Sequence, residues 1–484
     1  MPSALTELQP SNLWKHFAKI LTIPHCSGNE KAFGDYVVSF AHGLGLPARK
    51  DKVGNVIVGK PAAPGHEAVP GVILQGHLDM VGEKNSDVAH DFTKDAIQAE
   101  VKGDWVQAKG TTLGADNGIG VAACLAVMED GSLVHGPLEF LFTVDEETGL
   151  TGANRIQRGS LTGTRLLNLD SEEEGTFTIG CAGGADSEIA YPLARKRTAS
   201  GNLFRLKVSG LRGGHSGIDI NQGRANAIKL LARMLREVQD AARFELIGLE
   251  GGNKRNAIPR EAWAVLSCPP AGTRALAAGL KKSFEKIAAE FKAVEVDAKY
   301  AFERTDEPKA FPLTAECRRG LLDLLLALPH GVIAMHPEIR GLVETSTNLA
   351  IVRTERASAG IVCNTRSSVA SALEAARLVL KAVTEMAGAK VDAKNGYPGW
   401  APNLESPLLA AMKKIYKDKY GVDPAVGAIH AGLECGIIGE KFPGMDMISF
   451  GPTLEHPHSP DERVNVPSVA KFWEFLTAAL AGLA

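Results

Sequence analysis

Short apolar runs broken by glycine and polar turns dominate the first third of the chain, with few long amphipathic stretches. Residues 53–59, 72–76, 138–144 and 166–169 are apolar enough to be strands, the last two fully buried ones. Residues 12–20 have the spacing of a short helix, and 118–129, apolar and alanine-rich, suit a buried helix. This alternation of strand and helix predicts an α/β layer architecture.

The pattern changes near Gly183. Residues 203–208 alternate as a strand does, a helix is expected at about 224–243, and a strand and a helix follow at 263–267 and 274–291. The segments 321–328, 360–364 and 371–387 continue a pattern that reads as α+β. Around 394–403 the chain becomes rich in glycine, proline and asparagine (Asn395-Gly396-Tyr397-Pro398-Gly399), the composition of a linker. Helix, strand and helix are then expected at 407–420, 447–450 and 469–483. The organisation implied is a discontinuous first domain, 1–186 with 396–484, interrupted by an inserted domain at 187–395.

A length of 484 residues fits two domains better than one core. With 45% hydrophobic and 23% charged residues the composition is that of a soluble globular protein. A formal charge of -3 gives no electrostatic case for nucleic acid or an anionic membrane as partner. The 7 cysteines are odd in number and form no CxxC, which argues against a disulfide framework or a cysteine zinc site and suits a reducing compartment. Residues 1–17 lack the apolar core of a signal peptide, and no apolar run is long enough to span a bilayer, so a cytoplasmic location is expected. Gly54 to Lys60 nearly fits a phosphate-binding loop, but Pro61 stands where the magnesium-binding hydroxyl belongs.

Candidate chemistry gathers where apolar strands end. Residues 72–76 run into His77-Leu78-Asp79, 138–144 into Asp145-Glu146-Glu147, 166–169 into Asp170, and 447–451 lead to His456-Pro457-His458. Each motif alone has a bland reading as a surface histidine, a solvated acidic turn or an exposed loop. In open α/β sheets, however, the carboxyl ends of strands form the ligand crevice, so four strands could deliver imidazoles and carboxylates to one place. Zinc accepts both donor types, and a pair of metals needs a bridging group such as an aspartate.

The ordered set His77-Leu78-Asp79, Gly114-Ala115-Asp116-Asn117-Gly118, Asp145-Glu146-Glu147-Thr148-Gly149, Asn168-Leu169-Asp170 and His458 resembles the M20 metallopeptidase family. Within it the chain is similar to the Xaa-His dipeptidase branch (aminoacyl-histidine dipeptidase, peptidase D or bacterial carnosinase). Gly213-Gly214-His215-Ser216-Gly217, Asn364-Thr365-Arg366-Ser367-Ser368 and His430-Ala431-Gly432-Leu433-Glu434 also carry that likeness, which runs from about Leu13 to the C-terminus.

The resemblance implies a mixed-sheet α/β/α catalytic domain of the zinc-exopeptidase kind with an inserted α+β lid. It implies two divalent metal ions, zinc by preference with manganese or cobalt as alternatives. Asp116 would bridge them, His77 and Asp170 completing one site and Glu147 and His458 the other. Glu146 would be the general base for a metal-activated water, Asp79 would orient His77, and the Asp116-Asn117 peptide would be cis. From the lid, His215 would stabilise an oxyanion, while Asn256, Arg366 and Gly432 would contact substrate; an arginine fork suits a free carboxylate. Glu434 is a further candidate contact for a substrate amine. The implied substrates are small dipeptides, Xaa-His including β-Ala-His (carnosine). A deacylase of N-acyl amino acids would use the same centre, so the metal residues do not separate the two, whereas a non-catalytic metal-binding protein would be expected to have lost Glu146 or a ligand. His215 is expected to act within its own chain, with a homodimer still open.

Overall fold

Every residue of the strand Val72–His77 is buried, as befits a strand inside a sheet covered on both faces. The computed structural model describes residues 4–197, 199, 201–306 and 311–484. The chain divides into two compact units: Met1–Gly180, Trp400–Ala428 and Leu433–Ala484 form the first, and Cys181–Gly399 with Ile429–Gly432 the second.

In the first unit Val72–His77 lies parallel to Leu138–Thr143 on one side and to Arg165–Asn168 on the other, and Asp446–Ser449 runs parallel to Arg165–Asn168. Val56–Lys60 and Ala48–Lys50 add antiparallel strands at one edge, while Thr176–Cys181 and Ala425–Ile429 complete the other, making a mixed sheet. These parallel strands share a direction, so His77 and the residues after Thr143, Asn168 and Ser449 emerge at the same end. The helix Ala115–Glu129 is apolar almost all round and correspondingly buried. Ser11–Ile20 packs Trp14 and Phe17 into the same core. Pro407–Tyr420 begins where the sequence places it, because the Ser406 hydroxyl accepts from the Leu409 amide and a proline occupies the first turn; it ends at Gly421, which takes a left-handed conformation.

A smaller antiparallel sheet joins Leu454–Glu455, Arg463–Asn465, Trp105–Ala108 and Ala99–Lys102. Its first two strands form a hairpin whose loop carries His458.

The second unit is built on a nine-stranded sheet with the helices Ala227–Val238, Thr273–Phe291, Ala315–Ala327 and Ala370–Met386. The first of these is shorter than the expected 224–243. Asn226 caps its start by accepting from the amides of Ile228 and Lys229, and Arg224 instead ties the Gly213 carbonyl (2.7 Å) to Asp219 (2.8 Å) in the preceding loop. Residues 186 and 187 lie within the continuous strand Gly183–Pro192. Tyr397 bridges to Gly184 through two backbone hydrogen bonds of 3.0 and 3.1 Å, so the segments entering and leaving this unit run side by side. No helix among the described residues is long and apolar enough to cross a membrane.

Candidate metal centre

His77 ends its strand and is buried. Its Nδ1 donates to the backbone carbonyl of Asp79 at 2.9 Å, which fixes the ring and turns Nε2 toward two carboxylates. Nε2 lies 3.1 Å from Asp116 Oδ1 and 3.2 Å from Asp170 Oδ1. The other oxygen of Asp116 is 3.2 Å from His458 Nε2, which is also 3.0 Å from Glu147 Oε2. Two three-donor groups, His77/Asp116/Asp170 and Asp116/Glu147/His458, therefore share Asp116, one oxygen facing each, with the donor atoms of each group within 4.8 Å of one another. A third group of the same tightness combines His77, Glu146 and Glu147. The Asp116-Asn117 peptide is cis, and Asn117 Nδ2 donates to the Leu169 carbonyl at 2.7 Å, tying this turn to the strand end that bears Asp170.

The donors fit divalent cations. Asp170 Oδ1 and Glu147 Oε1 are buried and accept no hydrogen bond among the described residues. Burial, with Asp116 and Glu147 nearby, pushes the Asp170 carboxyl up to about 6 despite the opposing pull of His77. Burial likewise raises Glu146 well above the usual carboxylate range, reinforced by Asp170, Glu434 and Glu147. Crowded carboxylates with bare oxygens, facing imidazole nitrogens of fixed orientation, are what an oxygen- and nitrogen-ligated metal site requires.

Asp79 has a wider part than holding His77. Its Oδ1 sits 3.5 Å from His77 Nδ1, but the two carboxylate oxygens accept from the amides of Glu146 (2.9 Å) and Glu147 (3.1 Å), and from the Ser27 hydroxyl (2.7 Å). The short helix Glu146–Gly149 follows Asp145, which has φ 54° and is held there by the Thr148 and Thr151 hydroxyls. The buried Asp79 carboxylate thus braces the turn that presents Glu146 and Glu147.

Glu434 is fully buried in the same unit. One of its oxygens accepts from Gln75 Nε2 (2.7 Å) and the Thr143 hydroxyl (2.6 Å); the other has no partner among the described residues. Burial pushes its carboxyl up to about 7, with Asp170 and Asp79 adding to the shift.

The remaining candidates belong to the second unit. His215 Nδ1 accepts from the amides of Gly217 (3.2 Å) and Ile218 (3.1 Å), which leaves the ring proton on Nε2. Burial and then Arg366 lower its pKa to about 4, so the ring is neutral with an N–H to offer. Asn256 is exposed, and its carbonyl accepts from the Ser216 amide at 2.8 Å, beside His215. Arg366 is buried; it donates to the Tyr397 hydroxyl at 2.9 Å while its Nε has no partner among the described residues. A Cβ on Gly432 would stand 2.8 Å from the Tyr397 ring, so only glycine fits beneath it. His430 is buried with Nε2 2.8 Å from Ser346 Oγ, and its carbonyl lies against Gly217. Ser27 and Ser346, lone hydroxyls, belong to no motif, and Tyr397, which the composition places in a linker, instead bonds Arg366.

Residues 73–482 match the model of Peptidase family M20/M25/M40. The chain is 42% identical over 479 residues to the cytosol non-specific dipeptidase of Escherichia coli strain K12, covering 99% of each protein. It superposes on the crystal structure of aminoacylhistidine dipeptidase from Vibrio alginolyticus with a TM-score of 0.90 at 42% identity, over 98% of this chain and 97% of that one. An aminopeptidase of Bacillus cereus, 16% identical, shares the fold with a TM-score of 0.58 over 98% and 99% of the two chains.

Proposed function

The chain belongs to Peptidase family M20/M25/M40, and from that premise we propose that it is a cytoplasmic dipeptidase working through two divalent cations bridged by Asp116. The observation that carries this reading is the pair of three-donor groups sharing Asp116, with Glu146 alongside. His77 and Asp170 would hold one cation with Asp116, and Glu147 and His458 the other. Zinc suits the nitrogen and oxygen donors, with manganese and cobalt also matching them. Cations bound there supply Lewis acidity toward the scissile carbonyl and lower the pKa of a water toward about 7.

The chain's own groups do the rest. Glu146, raised above the usual carboxylate range by burial and its acidic neighbours, takes the proton of the attacking water and passes it to the leaving amine. Asp79 keeps that carboxylate in place through the Glu146 and Glu147 amides. His215, neutral with Nε2–H free to donate, offers a hydrogen bond to the oxyanion. Arg366 takes the terminal carboxylate, Asn256 and Gly432 complete the substrate contacts, and Tyr397 holds the guanidinium.

The substrates are dipeptides with a free amine, Xaa-His among them and β-Ala-His included. The dipeptidase names of the Escherichia coli and Vibrio alginolyticus relatives agree with this class. The buried, half-partnered Glu434 favours it over deacylation of N-acyl amino acids, because an acylated nitrogen brings no positive charge to a buried carboxylate. Hydrolysis by the metal-loaded protein of a panel of β-Ala-His, α-dipeptides, a tripeptide and N-acetyl amino acids tests the proposal. Cleavage of the dipeptides is expected; cleavage of the N-acetyl amino acids alone would replace it with the deacylase reading.

A further inference from the structure

Four residues beyond His458 stands a carboxylate that no motif announces. Glu462 is only 2% exposed and forms no salt bridge with any described residue, yet it is fully hydrogen-bonded. Its Oε2 accepts from the amides of Leu113 (2.8 Å) and Gly114 (3.1 Å), and its Oε1 from those of Ala115 (2.8 Å) and Asp116 (3.3 Å). One carboxylate thereby uses about all four of its acceptor positions on four successive amides. Those amides converge because Gly114 turns the chain with φ 73°, and a Cβ there would stand 2.8 Å from the Met80 sulfur, so the turn requires glycine.

The two ends of this contact hold different donors. The 113–116 turn ends in Asp116. Glu462 lies on the return limb of the hairpin loop that carries His458, and its own amide donates to the Ser459 carbonyl at 3.0 Å. At the base of that loop Arg463 pairs with Glu455 and stacks on Trp105, 4.3 Å from the ring centroid, and within it the Ser459 hydroxyl donates to the His456 carbonyl at 2.9 Å. His458 itself has φ 60° and about half of its side chain exposed; apart from its own Nε2 contacts with the Asp116 and Glu147 carboxylates, Glu462 is the residue of this loop that grips the backbone of the turn bearing Asp116.

We propose that Glu462 is a positioning residue that sets the spacing of Asp116 and His458, and with it the affinity of the Asp116/Glu147/His458 position for its cation. The inference rests on the metal-centre reading above. Outer partners of ligands commonly change metal affinity about 10- to 100-fold when removed. In Glu462→Gln one oxygen becomes an NH2 facing two amide N–H groups, so the staple opens on one side while size and shape are kept.

The test is a Zn2+ titration of metal-free wild type and Glu462→Gln against a chromophoric chelator, with the Co2+ absorption spectrum as a second readout. Wild type should take two ions. The variant should keep one at near wild-type affinity, bind the other 10- to 100-fold more weakly, and show an altered cobalt spectrum for that ion alone. In a folded variant, equal weakening of both ions, or two ions bound as in wild type, overturns the proposal. A wild type that binds no metal would overturn the reading of the centre itself. Should Glu462→Gln fail to fold, hydrogen exchange on metal-free wild type decides the matter. Amides 113–116 are expected to be protected before any metal is added, and protection that arises only on metal loading contradicts the staple.

Discussion

His77 Nε2 and Asp170 Oδ1 lie 3.2 Å apart, yet Asp170 Oδ1 accepts no hydrogen bond among the described residues. With His77 Nδ1 directed at a backbone carbonyl, Nε2 and a carboxylate oxygen point at a common place. Such an arrangement calls for positive charge between the donors, which a proton on the imidazole supplies when no cation is bound, and Asp116 repeats it on its other side with Glu147 and His458. The chemistry proposed for the chain follows from that demand.

Glu146 is the group asked to move protons. Replacing it with glutamine keeps the volume and removes the base, so kcat should fall by about 10²- to 10⁴-fold. Elemental analysis should still find the same metal content as in wild type. Turnover near the wild-type level with metal in place would show that another group is the base.

Arg366 should act in binding more than in chemistry. Lysine retains the charge without the fork, and the lost hydrogen bonding should raise KM for dipeptides about 10- to 100-fold with a smaller change in kcat. The preference for a free over an amidated C-terminus, measured with matched dipeptides, should narrow in parallel. An unchanged preference would place the carboxylate contact elsewhere.

For Glu434 the expected signature is selectivity. Glu434→Gln should lower kcat/KM for free-amine dipeptides by about 10-fold or more and leave any slow cleavage of N-acetyl substrates nearly untouched. Equal losses on both classes would assign Glu434 to holding Gln75 and Thr143.

Acid should weaken the second unit through its neutral histidines. Burial lowers His330, His215 and His430 to about 4 each, aided by Lys229 for the first and by Arg366 for the other two. Each folded value lies below the ordinary 6.5, so between pH 6.5 and 4 the unfolded chain binds protons that the folded chain refuses. Their stabilisation is complete above about pH 6.5 and is lost as the pH falls toward 4, at a limiting slope of about 1.4 kcal/mol per pH unit for each ring. Denaturant midpoints of the metal-free protein at pH 7, 6 and 5 measure it, and His330→Gln should flatten the slope. A variant slope equal to wild type would mean that His330 takes up its proton as readily in the folded chain as in the unfolded one.

Much of this was legible in the sequence, for a physical reason. Val72–His77, Leu138–Thr143 and Arg165–Asn168 are almost wholly buried and so read as short, mainly apolar runs, and the polar side chains that follow each run mark the crevice. The residues that brace the donors were not legible. Glu462 and Ser27 act through backbone amides or single hydroxyls 346 to 349 and 52 positions away in the chain, and such contacts impose no local periodicity. The start of Ala227–Val238 was misplaced because Arg224 and Ala225 have the composition of a helix, while Asn226 holds the cap through its side chain.

Metal content set against activity bears most directly on the central claim that Asp116 joins two cation positions. Two divalent ions per chain are expected by elemental analysis of the active protein, with hydrolysis of β-Ala-His or another dipeptide abolished by chelation and restored in step with the second equivalent of Zn2+, Mn2+ or Co2+. Full activity in a sample that carries no metal would contradict it.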